Sequence, residues 1–292
     1  KPGKAGQGHI QGDGMKWFRG WLLQCLLAVL GTVATCAHAQ APLQLDASVS
    51  QQALASHTRY YHDLAGRDDL AAARKQLEAG KFQPLPDGNT SFGFQDGAYW
   101  FQINLLNTGN PDRKWLLVQE YALSDRIDVY AIHADGRVLH KTGGDHLPFD
   151  QRNIRYRHPN FWLDLPPGET VNLLVRVQSE SSMQVPLRLY SPVAFIEQSR
   201  DSQFAIGLYY GILLALFIYN LVMWLTLRDA SYFWYLFHIS AFGMVLFTLN
   251  GLGFEYLWPE SAWLADHAVP LSICLALIGM QQFARVFLDL RQ

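Results

Sequence analysis

Two regimes of hydrophobic patterning divide the chain: residues 40–199 alternate between apolar and polar, and beyond residue 203 long apolar runs dominate. In the first regime Tyr99, Phe101, Ile103 and Leu105 alternate with Trp100, Gln102 and Asn104, the period of a half-buried strand. Residues 115–119 and 127–132 continue the pattern, and Asp135-Gly136 offers a hairpin turn before Val138 and Leu139. Phe161, Leu163 and Leu165 alternate ahead of Pro166-Pro167-Gly168. Val171, Leu173, Val175 and Val177 mark a further strand, and Val185, Leu187 and Leu189 another. Short strands at this spacing, almost without helix, predict an all-β antiparallel sandwich. One exception is residues 68–79, where Leu70, Ala73, Arg74 and Leu77 predict a short helix stopped by Gly80.

The second regime predicts membrane spans at about residues 204–227, 232–250 and 267–288, the third interrupted by Pro270 and Arg285. At about 1.5 Å of rise per residue the first exceeds a hydrocarbon core of roughly 30 Å. Arg228 and Arg285 mark one side of the membrane. The loop 251–266 carries Glu255, Glu260 and Asp266 without Lys or Arg, and so marks the other. The positive-inside rule puts the arginines in the cytoplasm and that loop outside. Trp224, Trp234, Trp258 and Trp263 fall near span ends, where indole rings contact lipid headgroups. Gly207 and Gly211 form a small-xxx-small face for close helix packing, within one bundle or in a homodimer. Asn220 and His238 stand at matching heights on neighbouring spans, so the two are expected to meet as an intramembrane polar contact.

Lys16 and Arg19, the apolar stretch 22–33 and Ala37-His38-Ala39 make residues 15–39 a secretory signal, with a mature start at Gln40. Residues 1–14 show no apolar period and read as upstream, non-native sequence ahead of Met15. Export places the β domain outside, in agreement with the loop charges. Cys25 and Cys36 lie in the signal, which leaves only Cys274; no disulfide and no cysteine zinc site is expected. A net charge of −2 gives no basic reservoir for nucleic acid.

No catalytic constellation emerges: G-x-S-x-G, H-E-x-x-H and a phosphate-cradling glycine loop are all missing. His133, His140, His146 and His158 have no metal-ligand spacing, so neither metal nor cofactor is expected. Aromatic and basic residues on the non-core strand faces are the candidate ligand contacts. Trp100 shares its face with Gln102 and Asn104. Trp162 lies near Arg155, and Arg176 points away from the apolar stripe. Indole platforms stack on sugar rings, and guanidinium forks suit carboxylates. The alternative is that these tryptophans complete the core or contact the membrane part, with the arginines solvated.

Gly97-Ala98-Tyr99-Trp100-Phe101, the Glu120-Tyr121 strand end, Asp125, Val129 and Tyr130 resemble the periplasmic 7TMR-DISMED2 domain over residues 45–195. Gly211-Ile212-Leu213-Leu214-Ala215-Leu216, Tyr219-Asn220-Leu221 and Arg228-Asp229-Ala230-Ser231-Tyr232 resemble the opening of the 7TMR-DISM membrane domain over residues 203–292. The most specific match is Asn250-Gly251-Leu252-Gly253-Phe254-Glu255-Tyr256-Leu257-Trp258-Pro259. The resemblance implies a jelly-roll-like periplasmic sandwich (residues 40–199) that binds a carbohydrate-like or other small ligand. It also implies a seven-helix bundle of which three helices are present (residues 203–292). A cytoplasmic diguanylate cyclase or histidine kinase would follow. The chain would thus be the sensory part of an inner-membrane receptor. The competing reading is a membrane-anchored periplasmic enzyme acting on glycans, which needs a pair of carboxylates about 5 Å apart on a concave face; no such pair is evident in the sequence.

Overall fold

Alternating apolar positions become strands because each strand buries one side-chain row and leaves its backbone to pair with neighbours. The structure is a computed structural model that describes Gly3 and residues 41–288. The expected signal, residues 15–39, and (Gly3 apart) the stretch before it lie outside the described residues. Strands β1 (Leu43–Leu45), β2 (Gln51–Ala53) and β3 (Arg59–Asp63) precede helix α1 (Leu70–Glu78). Then come β4 (Gln83–Pro84), β5 (Ser91–Gly93), β6 (Ala98–Asn107), β7 (Lys114–Gln119) and β8 (Arg126–Ile132). The domain closes with β9 (Val138–Gly143), β10 (Asn160–Asp164), β11 (Thr170–Gln178), β12 (Met183–Gln184) and β13 (Leu187–Tyr190).

The larger sheet has the order β4-β3-β6-β11-β8-β9, with β1 added alongside β6; a four-stranded sheet has the order β10-β7-β13-β2. Strand β11 is central, with Val175 opposite Phe101 of β6 on one side and Val129 of β8 on the other. The expected apolar rows meet between the sheets: Phe101, Ile103, Leu173 and Val175 from one face Trp115, Leu117, Leu163 and Leu189 from the other. The domain is mixed rather than purely antiparallel, because β1 runs parallel to β6. Leu43 and Leu45 of this short edge strand are buried in the shared core.

Helix α1 forms where the spacing predicts it, with Asp69 as N-cap accepting a hydrogen bond from the Ala72 amide at 2.8 Å. It covers the outer face of the larger sheet, packing Ala73 and Leu77 with Phe82, Trp100 and Leu174. Beyond β13 no linker intervenes. Ser191 caps α2 (Pro192–Leu227) by accepting from the Ala194 amide, and Pro192 occupies the first turn. The first span therefore belongs to a helix that starts at Pro192 rather than Phe204. Its 36 residues reach about 54 Å, well beyond a hydrocarbon core of roughly 30 Å. Helices α3 (Ala230–Leu249) and α4 (Ala262–Phe287) follow, and among the described residues three helices are long and apolar enough to cross a membrane. Between the last two, Gly253–Leu257 forms one π-helical turn.

One helix contact differs from the expectation. Asn220 does not meet His238: its amide returns to the Leu216 carbonyl of its own helix, and His238 Nδ1 donates to the Ala276 carbonyl of α4 at 2.8 Å. Gly207 and Gly211 face open space, with nothing within 4 Å of where a Cβ would stand. Among the described helices a close approach falls at Gly279, where a Cβ would lie 2.9 Å from His238 Cα.

Candidate functional site

The four expected ligand contacts do not converge. Trp100, on β6, is fully buried (0% exposed) beneath α1 and stacks on Tyr130, so it completes a core instead of offering a platform. Arg176 lies opposite it across the β6–β11 pair, on the same face. Its guanidinium donates to the Gly66 carbonyl at 2.9 Å and to Gln178 Oε1 at 2.8 Å, and sits 3.7 Å from Asp128. Asp128 is itself buried. Burial raises its pKa, but Arg126, His140 and Thr142 outweigh that and hold its carboxyl below the usual range. Trp162 is on β10, in the other sheet, half-buried against the Leu116, Tyr156, Tyr190 and Phe195 cluster. Arg155 is exposed, close enough to Glu255 and Tyr256 to influence both.

A concavity the sequence did not reveal lies at one end of the larger sheet. Phe94, Gln95, Asp96 and Gly97 face Gln178, Ser179 and Glu180 across an open hollow of about 430 Å³. Phe94 is 80% exposed there, an aromatic face beside amides and two carboxylates. Arg176 borders the hollow through its bond to Gln178. The one signal in the sequence was Gly97, whose φ of +86° brings its backbone against the Asp63 and Leu64 carbonyls.

The floor of this hollow connects to the membrane helices. Asp125, almost fully buried, accepts from Ser179 Oγ at 2.6 Å and from the Glu180 amide at 2.7 Å. His146 Nε2 stands 3.9 Å from Asp125 Oδ2 and 2.9 Å from Oδ1 of Asp266, in the second turn of α4. Around this bridge the β domain is firmly seated. The Phe149 amide donates to the Pro259 carbonyl at 2.9 Å, and its ring packs edge-on against Phe254 at 5.7 Å. The Arg152 guanidinium lies over both rings, 4.6 and 5.3 Å from their centroids. Arg157 links the body of α2 to the C-terminal end of α3, donating to Ser202 Oγ at 2.7 Å and to Asn250 Oδ1 at 3.4 Å. Gly251, at φ +77°, lets the Asn250–Pro259 segment press against this surface: an added Cβ would stand 2.6 Å from Ala122 Cβ and 2.8 Å from the Arg157 carbonyl.

Burial governs the charges here. It raises the Asp145 carboxyl to about 7, helped by Asp125, and lowers Arg152 to about 10. His158 is pushed down to about 3, by burial first and then by Arg157 and Arg152. For His146 burial acts downward, but the bond to Asp266 and the neighbouring carboxylates prevail and raise it.

This geometry defines a membrane protein whose β domain is seated on one end of its own helices. Residues 55–191 match the family model for 7TMR-DISM extracellular domain 2, and residues 202–292 match that for the 7TM diverse intracellular signalling domain. The chain belongs to the 7TMR-DISM receptors. Its domain order is that of an inner-membrane receptor with the N-terminal domain in the periplasm, and neither matched domain is a recognised catalytic fold. No curated protein matches the chain. Among solved structures it is similar to Ruminococcus gnavus β-glucuronidase, at 13% identity and a TM-score of 0.30 over 51% of this chain. The same enzyme in complex with N1-substituted uronic isofagomine gives 14% identity and a TM-score of 0.29 over 52% of this chain. The matches span 30% and 31% of those enzyme chains, and a likeness this slight carries nothing about fold or activity.

Proposed function

We propose that the chain is the sensory part of a signal-transducing receptor, and that a small neutral, carbohydrate-like ligand binds the hollow lined by Phe94, Asp96, Gln178 and Glu180. In this reading the β domain is a jelly-roll-like binding module. The observation that carries it is the unbroken contact from hollow to membrane: Ser179 and Glu180 hold Asp125, beside it stands His146, and His146 holds Asp266 on α4. A ligand that shifts the 178–180 segment thereby acts on the outer ends of the helices. Such coupling requires only that the ligand bind the two arrangements of that segment unequally.

The lining favours hydroxyl groups over anions. Phe94 supplies a stacking face, Gln95 and Gln178 donate and accept, and Asp96 and Glu180 accept from hydroxyls while repelling carboxylates. Arg176 serves here by orienting Gln178, while exposed Arg155 and half-buried Trp162 form a separate membrane-proximal surface, in contact with lipid headgroups. Trp100 supports the site from beneath. The open Gly207–Gly211 face receives a further helix or a second copy in a homodimer. The relay ends on a cytoplasmic diguanylate cyclase or histidine kinase.

The test is a neutral-glycan screen by thermal shift on the whole chain in lipid nanodiscs, followed by calorimetry. Phe94→Ala is expected to weaken a confirmed ligand tenfold or more, about 1.4 kcal/mol. Because the ring is exposed, the melting temperature should stay nearly unchanged. A ligand whose affinity is the same in Phe94→Ala and in Glu180→Gln would place the binding surface elsewhere.

A further inference from the structure

Among the described residues, Asp125, His146 and Asp266 bring one ligand atom each to within 4.8 Å of one another. They come from three separate segments: the turn between β7 and β8, the loop after β9, and α4. Tetrahedral donors at about 2.0–2.2 Å from a first-row divalent cation lie about 3.3–3.6 Å apart, so the triplet reaches coordination spacing when the 2.9 Å His146–Asp266 pair opens slightly and the 3.9 Å His146–Asp125 pair closes. The Asp125 carboxylate is already oriented from behind by Ser179 Oγ and the Glu180 amide, the kind of outer support that fixes a metal ligand.

A second observation comes from Asp145. This residue is 3% exposed, and its Oδ1 has no hydrogen-bond partner. A buried carboxylate oxygen without a donor is a standing cost that a cation removes. Asp125, His146, Asp266 and Arg152 all act on its charge, so its carboxyl lies within electrostatic reach of the same cluster.

We propose that Asp125, His146 and Asp266, backed by Asp145, bind a divalent transition cation such as zinc, which fastens the β domain to the outer end of α4. One imidazole among carboxylates suits zinc or a similar first-row ion. Calcium asks for six to eight oxygens and magnesium for a strict octahedron with several waters. The site spans two domains, so an occupied site adds a metal link to the contacts of Phe149, Arg152 and Arg157, and an empty one leaves the His146–Asp266 bond alone at this point of the junction. Because the proposal concerns metal alone, it stands or falls independently of any sensory ligand.

The experiment uses the tag-free whole chain in nanodiscs, stripped with chelator and titrated calorimetrically with Zn²⁺, with Mg²⁺ as comparison and no glycan present. One Zn²⁺ per chain should bind and raise the melting temperature, while Mg²⁺ at the same concentration has no effect. His146→Ala and Asp266→Asn should each weaken Zn²⁺ at least tenfold, whereas His140→Ala, which removes a bond to Asp128 outside the triplet, should leave it unchanged. Co²⁺ bound to the unmodified chain should show the visible bands of four- or five-coordinate nitrogen and oxygen ligation, a readout that needs no variant. Absence of saturable Zn²⁺ binding overturns the proposal. So does binding that persists unchanged in the His146→Ala, Asp266→Asn double variant, or a Co²⁺ spectrum that remains that of the hydrated ion.

Discussion

Gly251 shows how one residue can decide whether two domains meet. Its positive φ and the nearness of Ala122 and the Arg157 carbonyl leave no room for a methyl group. Gly251→Ala should therefore destabilise the docked chain by about 1–3 kcal/mol, the usual range for a strained backbone position. Gly207→Ala, in open space, should change the melting temperature little. Equal melting curves for the two variants would mean that the 251 segment is not packed as described. His158 gives a test with a sign. Its folded pKa, about 3, lies below the ordinary 6.5 because the charged form is buried beside Arg157 and Arg152. Its contribution is complete above the ordinary value and is lost as pH falls from there toward the folded value. Between about pH 7 and about pH 4.5, above most carboxylate titrations, the melting temperature should fall more in the native chain than in His158→Gln. Parallel curves would contradict the burial of His158.

At the scale of elements, strands were legible and their surroundings were not. The alternation in β6 put Phe101 and Ile103 in the core correctly. It also put Trp100 on the opposite face, and that is true; the error was to take that face as open. A period of two says which side a residue is on but not what covers that side, and here α1 covers it, packed through Ala73 and Leu77. Helix rise likewise placed Asn220 and His238 at one height but said nothing of the rotation that turns His238 toward Ala276. The earlier start of α2 was readable from Ser191-Pro192, an N-cap followed by a proline at the first helical position. Sequence alone does not say which glycine faces a neighbour: among the described helices the close approach is at Gly279, and the Gly207–Gly211 face is open. Gly279→Leu should therefore separate α3 from α4 and lower the melting temperature, and Gly211→Leu should be tolerated in the isolated chain. Tolerance at both positions would refute the Gly279–His238 contact.

Across the whole molecule, the order of periplasmic domain and membrane helices was legible in the family motifs, and the two family models match in that order. The junction was not legible, because its members are far apart along the chain: His146 and Asp266 are separated by 120 positions, a pairing no local period encodes. The most specific sequence motif, residues 250–259, turns out to be the surface on which the β domain sits, through Gly251, Phe254 and Pro259. Function in this account depends on that seating being rigid. A β domain swinging freely on its helices would absorb ligand-driven shifts, whereas one clamped by Phe149, Arg152 and Arg157 passes them to α2 and α4. The most direct measurement is the distance between spin labels on exposed Val138 of β9 and exposed Glu260 of the docked loop, in a chain with Cys25, Cys36 and Cys274 each replaced by Ser, in nanodiscs. One narrow distance distribution is predicted, broadened by Arg157→Ala. A broad distribution in the unmodified chain would contradict the docked arrangement.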